Sequence, residues 1–487
     1  MYRASRLDGR LDEKTLDFLS SISEDKEIAI YDILGSQAHT IMLFENKLIT
    51  KNDSSKILSA LEKLKKENFL IKSESEDIHE RIESLVIKKT GMQVGGKMHT
   101  GRSRNDQISL DIRMKIRDDI NILCSCLLDV IETLLSLAEK NQKTIMPLYT
   151  HLQQAQIGSF SHFLLAYADA LFRDLDRLYG TYGRVNESPL GAGPVGGTSL
   201  NINRQSTAKM LGFNGLVENS IDATSSRDFA AEYVGQISIL MTNLSRIAED
   251  LIIWSTSEFS FLELSDKFAS TSSVMPQKKN PDILELIRGK TAQVIGYHVA
   301  ILSNLKGLPS GYNRDLQQIK VSIWPAFNIA ISSLLMITSV FNTMKINDQK
   351  MKKAIDSGYS IALDVAEHLV KRGVPFRTAH KIVGKLVHTA SHLKKSLHLL
   401  SIAEIKKSVN EDMIKIKELY KIIRSTTASS SLAERTSRGS AGSLEQKRMI
   451  SDRKIKIQAY RTGVDKRTKD VKIALENLVR KTKTITK

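Results

Sequence analysis

The stretch Ile112 to Lys140, IRMKIRDDINILCSCLLDVIETLLSLAEK, carries apolar residues at 116, 120, 123, 127, 131, 134 and 138. That is the 3.5-residue spacing of a helix packed lengthwise against others. At 1.5 Å per residue it predicts a helix of about 44 Å. Similar patterns run from Asp228 to Phe259, from Pro281 to Leu305 and from Val321 to Met344. Four such helices make a bundle, so the fold class is mainly α. Several are apolar on more than one side, as in LLDVIETLL and LIIW, which predicts faces buried between subunits.

The chain has 487 residues, 41% hydrophobic and 26% charged, with 8 prolines. Its length suits two or three domains with a large core, and its composition suits a soluble, helix-rich protein. The apolar runs break short of the roughly 18 residues a membrane span needs. Met1 to Arg10 carries charges where a signal peptide has an apolar centre. A cytoplasmic location without membrane attachment is expected. Cys124 and Cys126, the only cysteines, are two apart in a helical pattern. Their side chains diverge, so no disulfide or metal site is expected from them, and a reducing compartment fits. The formal charge is +17, and Ser451 to Lys487 holds 12 Lys/Arg against 4 Asp/Glu. No stacking-aromatic pattern or zinc-finger spacing accompanies this basic end, which reads as a solvated helix face that steers an anionic substrate weakly. Nucleic-acid binding is not expected.

The chemistry is concentrated in a few polar segments. TSSVMPQKKNPDI, Thr271 to Ile283, crowds hydroxyls, cations and amides into a loop ahead of a helix start, which suits closure over an anion. It fits removal of a carbon-bound proton beside a carboxylate, whose developing charge must be met by fixed donors. Lys278 supplies a cation, Asn280 and loop N–H groups supply hydrogen bonds, and Ser272 supplies an oxygen for the proton, with Ser273 the alternative. In GKMHTGRSRNDQISLD, Gly96 to Asp111, a bidentate cation and an amide stand at a helix entrance, a good place for a carboxylate. MPLYTHLQQAQ offers Thr150 and His151 after a proline-marked turn, and a histidine suits proton transfer near neutral pH. SPLGAGPVGGTSLNINR, Ser188 to Arg204, is glycine-rich without the GK[ST] ending of a P-loop, so phosphate is not its ligand. SSRDF puts Arg227 at a helix start, and GLPSGYNRDLQQIK sets Tyr312, Gln317 and Lys320 near one side of a helix or turn. Ser36 and His39 lie beside an apolar face in YDILGSQAHTIML, and Asp77 and His79 lie early in a helix in SESEDIHERIESLV. Capping and a satisfied core histidine explain these last two by themselves. His388 and His392, four apart, have no nearby carboxylate and read as structural.

SSVMPQKKNP resembles the SSxMPxKxN signature of the fumarase/aspartase superfamily, and TGRSRNDQ resembles the motif of its argininosuccinate lyase family residue for residue. YTHLQ and YNRDLQ are similar to that family too, and the glycine-rich segment resembles its LGxGAxAGTxxxIDR loop with Pro194 and Asn203 as departures. The resemblance implies three helical domains, 1–108, a central long-helix bundle 109–355 and a small domain 356–487. It implies Ser272 as base, Lys278 and His151 in catalysis and Glu285 as the acidic position of the following helix. Ser36, Arg104, Asn105, Thr150, Arg227, Asn280, Tyr312, Gln317 and Lys320 would then contact substrate. It implies no cofactor, no metal, and a homotetramer whose sites draw segments from three subunits. The expected reaction is β-elimination of argininosuccinate to arginine and fumarate, the last step of arginine biosynthesis. A sister fumarate-releasing lyase and a catalytically silent structural relative are the alternatives. The WGGRF-like start of many members is missing, which leaves Arg3 and Arg6 unassigned.

Overall fold

The computed structural model describes residues 12–67, 75–409 and 414–487, so Arg3 and Arg6 lie outside the described residues. Its centre is the 37-residue helix Arg104–Lys140, which begins eight residues before the apolar periodicity does. Its start is set by a capping box: Ser103 Oγ accepts from the Asn105 N–H at 3.3 Å, and the Asp106 carboxylate accepts from the Ser103 N–H at 3.0 Å. Against it pack Lys320–Thr343, as expected, and a further long helix, Phe160–Val185; Asp228–Ser255 packs on both of these, and Asp282–Leu305 packs on Asp228–Ser255 and Lys320–Thr343. Phe160–Val185 is punctuated by Gly180 and Gly183, yet buries an apolar stripe at 164, 165, 168, 171, 172, 175 and 178.

Two helical stretches, Arg104–Lys140 and Arg314–Thr343, contain an 18-residue window apolar enough to cross a membrane, contrary to the expectation that every apolar run falls short. Of these windows 56% and 50% are buried inside the protein. Both are therefore read as core helices of the bundle, where apolar residues face other helices on several sides.

The last helix, Ser443–Thr486, is 44 residues long and corrects two expectations. It does not belong to the small domain. The small-domain core is built from residues between Ile355 and Ala441, with Ile157 added from a hairpin. The helix instead runs back along Arg104–Lys140 and reaches the N-terminal helices. It is also more than a solvated face, because Ile450, Ile457, Val464, Val471, Leu478 and Ile485, each seven residues after the last, are all buried. That heptad stripe is the seam along which it docks. Its cations meet acids on neighbouring helices: Arg453 with Asp169 at 2.7 Å, Lys454 with Glu139 at 2.8 Å, and Arg461 with Asp129 and Glu132 at 2.8 Å. Surface ion pairs of this kind contribute about 0–1 kcal/mol each, so the stripe carries the docking.

Leu478→Ala, at a fully buried position, should therefore lower unfolding free energy by about 2–5 kcal/mol, read as a shift in the urea midpoint. Arg461→Ala should cost under about 1 kcal/mol.

Candidate active site

The polar loop before the central helix is fixed from inside. Arg102 turns inward and donates to Ser36 Oγ at 3.0 Å, and His39 Nε2 lies 2.8 Å from the Thr100 carbonyl. Burial, helped by the Arg102 charge, pushes His39 down to about 3, so it is neutral and Nε2–H donates. Ser36, expected at the substrate, is fully buried and supports the loop instead.

Arg104 and Asn105 face outward. Arg104 Nη1 lies 2.8 Å from Asp77 and 3.3 Å from Glu76. Asn105 Nδ2 donates to the Pro194 carbonyl at 3.0 Å. Asp106 accepts from the N–H groups of Gly191 and Gly193 at 2.9 and 2.8 Å. Those glycines have φ of 85° and 67°, a backbone that only glycine adopts without strain. The glycine-rich segment is thus strapped to the helix start, and the departures in it keep their tasks. Pro194 contributes only a carbonyl, and Asn203 caps Arg204–Met210 by accepting from the Ser206 N–H at 2.9 Å.

Arg104, Asn105, Asp77 and His79 share a cavity of about 350 Å³ with Ser21, Ile108, Tyr312, Arg314 and Gln317. The Tyr312 segment is docked there by the N-terminal helices. Gln317 Nε2 donates to the Leu19 carbonyl at 3.1 Å, Arg314 pairs with Glu76, and Trp324 Nε1 donates to the Glu24 carbonyl at 3.1 Å. Lys320 pairs with Asp25, both fully buried, and Asp25 also accepts from Ser21 Oγ at 2.8 Å. Lys320 therefore sits beneath the cavity and is not part of its wall. Arg227 is likewise buried and donates to the Ser226 carbonyl at 2.7 Å and to Ser109 Oγ at 3.3 Å. Burial pulls its guanidinium down to about 10, partly offset by Tyr312.

The serine loop lies apart from this cavity. Two short strands pair Ser270 with Asn280 and Thr271 with Lys279, so Ser272 to Lys278 forms an exposed hairpin tip. Ser272 Oγ accepts from the N–H groups of Val274 at 3.2 Å and Met275 at 3.0 Å. Lys279 is tied to Asp266 at 2.7 Å, which leaves the exposed Lys278 as the loop's available cation. Glu285 is exposed in the first turn of Asp282–Leu305.

Thr150 and His151 lie on a third element, the antiparallel hairpin Ile145–Thr150 and Gln153–Ser159. Its two-residue turn is His151-Leu152, with φ of 55° and 57°, where a primed turn ordinarily takes Asn-Gly. The hairpin is clamped on both sides: the Tyr149 ring packs tilted against Trp254 with centroids 4.9 Å apart, and Ile157 enters the small-domain core. Its tip is exposed. One chain thus brings together Arg104, Asn105, Tyr312 and Gln317, while His151 and Ser272 stand elsewhere. Asp106 and Arg314 were quoted in the motifs but given no role. The S-x-x-D spacing from Ser103 signals the first.

A bundle of long helices with a polar cavity walled by Arg104, Asn105, Tyr312 and Gln317, and hydroxyl, lysine and histidine groups on exposed hairpins, fits a lyase of the fumarase/aspartase type. The family model described as "Lyase" matches residues 6–296, and one described as "Argininosuccinate lyase C-terminal" matches 359–428. The chain belongs to the argininosuccinate lyase family. It is 63% identical over 98% of both chains to the argininosuccinate lyase of Nitrosopumilus maritimus, and 48% identical over 79% of both chains to that of Methanothrix thermoacetophila. Among solved structures, EDDS lyase in complex with formate matches with a TM-score of 0.87, at 27% identity and covering 99% of this chain and 98% of that one. Class II fumarase from Schistosoma mansoni shares the fold, with a TM-score of 0.67 at 16% identity over 81% of this chain and 91% of that one.

The left-handed turn residue Leu152 carries strain that glycine lacks. Leu152→Gly should leave stability unchanged or raise it by about 1 kcal/mol, measured by thermal unfolding.

Proposed function

We propose that the chain cleaves argininosuccinate to arginine and fumarate by β-elimination, as a soluble cytoplasmic enzyme. The observation that carries this reading is the joining of Arg104 and Asn105, from the segment most specific to this family, with Tyr312 and Gln317 around one cavity. A fork-shaped cation and neutral donors of this kind suit a substrate rich in carboxylates.

Ser272 removes the proton from the succinyl carbon next to the one bonded to nitrogen. A serine is a poor base unless its alkoxide is stabilised. The two backbone N–H groups at 3.2 and 3.0 Å from Ser272 Oγ favour that anion, which supports Ser272 over Ser273. Lys278 and Asn280 meet the charge that grows on the adjacent carboxylate. His151 serves the proton transfer that releases the guanidino group, and Glu285 supplies the acidic position beside the loop. Thr150, and through the cavity floor Arg227 and Lys320, complete the substrate's surroundings.

These groups occupy three separate places on one chain, so a working site takes segments from several subunits. A homotetramer is supported by the outer face of Asp282–Leu305, where Leu286, Ile295, Val299 and Leu302 are exposed, and by exposed Ile239 and Leu335 on the neighbouring helices. Apolar residues on a second helix face are what a subunit interface buries.

Purified protein given argininosuccinate should raise fumarate absorbance, and no fumarate release would remove this reading. Ser272→Ala should lose at least about 10²-fold in turnover while still binding substrate. Inactive His151→Ala and Ser272→Ala proteins, unfolded and refolded together, should regain part of the activity. A mixed tetramer as inactive as its parents would place both residues in one chain's site.

A further inference from the structure

Below the cavity, three helices bring Asp32, His79 and Asp111 together, all buried, with one polar atom of each within 4.8 Å of the others. His79 Nδ1 lies 3.3 Å from Asp32 Oδ1 and 3.5 Å from Asp111 Oδ2. Gln107 Nε2 donates to the same Asp32 oxygen. The other ring nitrogen of His79, Nε2, is buried and has no hydrogen-bond partner, yet the residue is part of the cavity wall. A buried polar atom left without a partner is rare enough to need a reason. Here the reason is a ligand atom that the cavity is shaped to receive.

We propose that Asp32 and Asp111 hold His79 as an imidazolium whose Nε2–H binds a carboxylate of the substrate in the cavity, so that the two aspartates are positioning residues acting through it. The proposal rests on the cavity being the substrate's, as read above. Charge counting favours a proton here over a metal ion. Asp25, Asp32 and Asp111 face Lys320 and Arg102, so the set carries at most one net negative charge, which a divalent ion would overcharge. Asp77, at the start of the His79 helix, is engaged by Arg104, and Arg314 by Glu76. His79 Nε2 differs from these in having no hydrogen-bond partner among the described residues. An imidazolium N–H makes a charge-assisted bond to a carboxylate, stronger than one from a neutral donor.

The surroundings agree. Burial alone would lower His79, but Asp32, by hydrogen bond and charge, together with Asp77 and Asp25 outweighs it, and its basicity is raised. Burial, then the charge of Asp32, pushes Asp111 well above the usual carboxylate range. A raised imidazole is charged below its folded value and loses its charge only as pH rises through it. Removing Asp32 takes away the main raising influence, so the charge is lost at lower pH.

The experiment compares KM for argininosuccinate in wild type and Asp32→Asn between about pH 6.5 and about pH 8.5. Loss of one charge-assisted contact is about a tenfold effect. KM of the variant should therefore climb about tenfold more than that of wild type across this range. A parallel KM profile in folded Asp32→Asn overturns the proposal. Wild type that releases no fumarate overturns the reading beneath it instead, so the two failures are distinguishable. Should that variant fail to fold, ¹⁵N-histidine spectra of wild type decide the matter. The ring whose signal vanishes in His79→Gln should stay doubly protonated above the ordinary imidazole range, and titration of that ring at or below the ordinary range overturns the proposal.

Discussion

The burial of Arg104–Lys140, unbroken from Asp106 to Arg117, is the constraint from which the rest follows. Its second half is apolar and packs as an ordinary bundle helix. Its first half buries Asp106, Asp111, Arg113, Lys115, Arg117 and Asp119, and charge taken out of water must find partners or cost several kcal/mol. Apart from Lys115, which closes on Asp119 one turn along the same helix at 2.5 Å, the partners are distant pieces of chain. Asp106 holds the glycine-rich loop, Arg113 reaches the Arg184 carbonyl at 2.9 Å, and Arg117 reaches Asn186 at 3.0 Å. Satisfying this helix thereby fixes the glycine-rich loop, whose Pro194 carbonyl holds Asn105 at the cavity wall.

This arrangement divides the functional groups by rigidity. Arg104, Asn105, Tyr312 and Gln317 are backed by buried ion pairs and carbonyl contacts, so they are preorganised for a charged ligand. His151 and Ser272 lie at the exposed tips of hairpins. Groups that must meet across subunits are better carried on such projections than in a packed core. The strained turn at His151-Leu152 fits this division, because strain persists only where the surrounding structure fixes it. Here Tyr149 and Ile157 do the fixing.

Much of this was legible in the residues. The 3.5-residue pattern gave the bundle but not the first eight residues of its central helix, whose start the Ser103 to Asp106 spacing marks. The polar segments contain Arg104, Asn105, Tyr312 and Gln317, which line one cavity. The hairpin at 145–159 was not legible, because its turn lacks Asn-Gly and its strands do not alternate cleanly. The docking of Ser443–Thr486 was readable in its heptad of buried positions, but its charge drew attention to solvent instead. Ser36 and Lys320 illustrate the limit of motif reading: a residue type says what can be bonded, and only burial says to what.

By itself the sequence determined the mainly α class, the long helices and the chemical identity of the polar loops, since these rest on local periodicity, capping and side-chain type. The tertiary structure decided which loops meet. It joined 104–105 to 312–317, set His151 and Ser272 apart from them, and closed Asp32, His79 and Asp111 into one buried cluster. These are pairings between residues far apart in the chain, chosen by where buried charges find partners, and no local pattern encodes that choice.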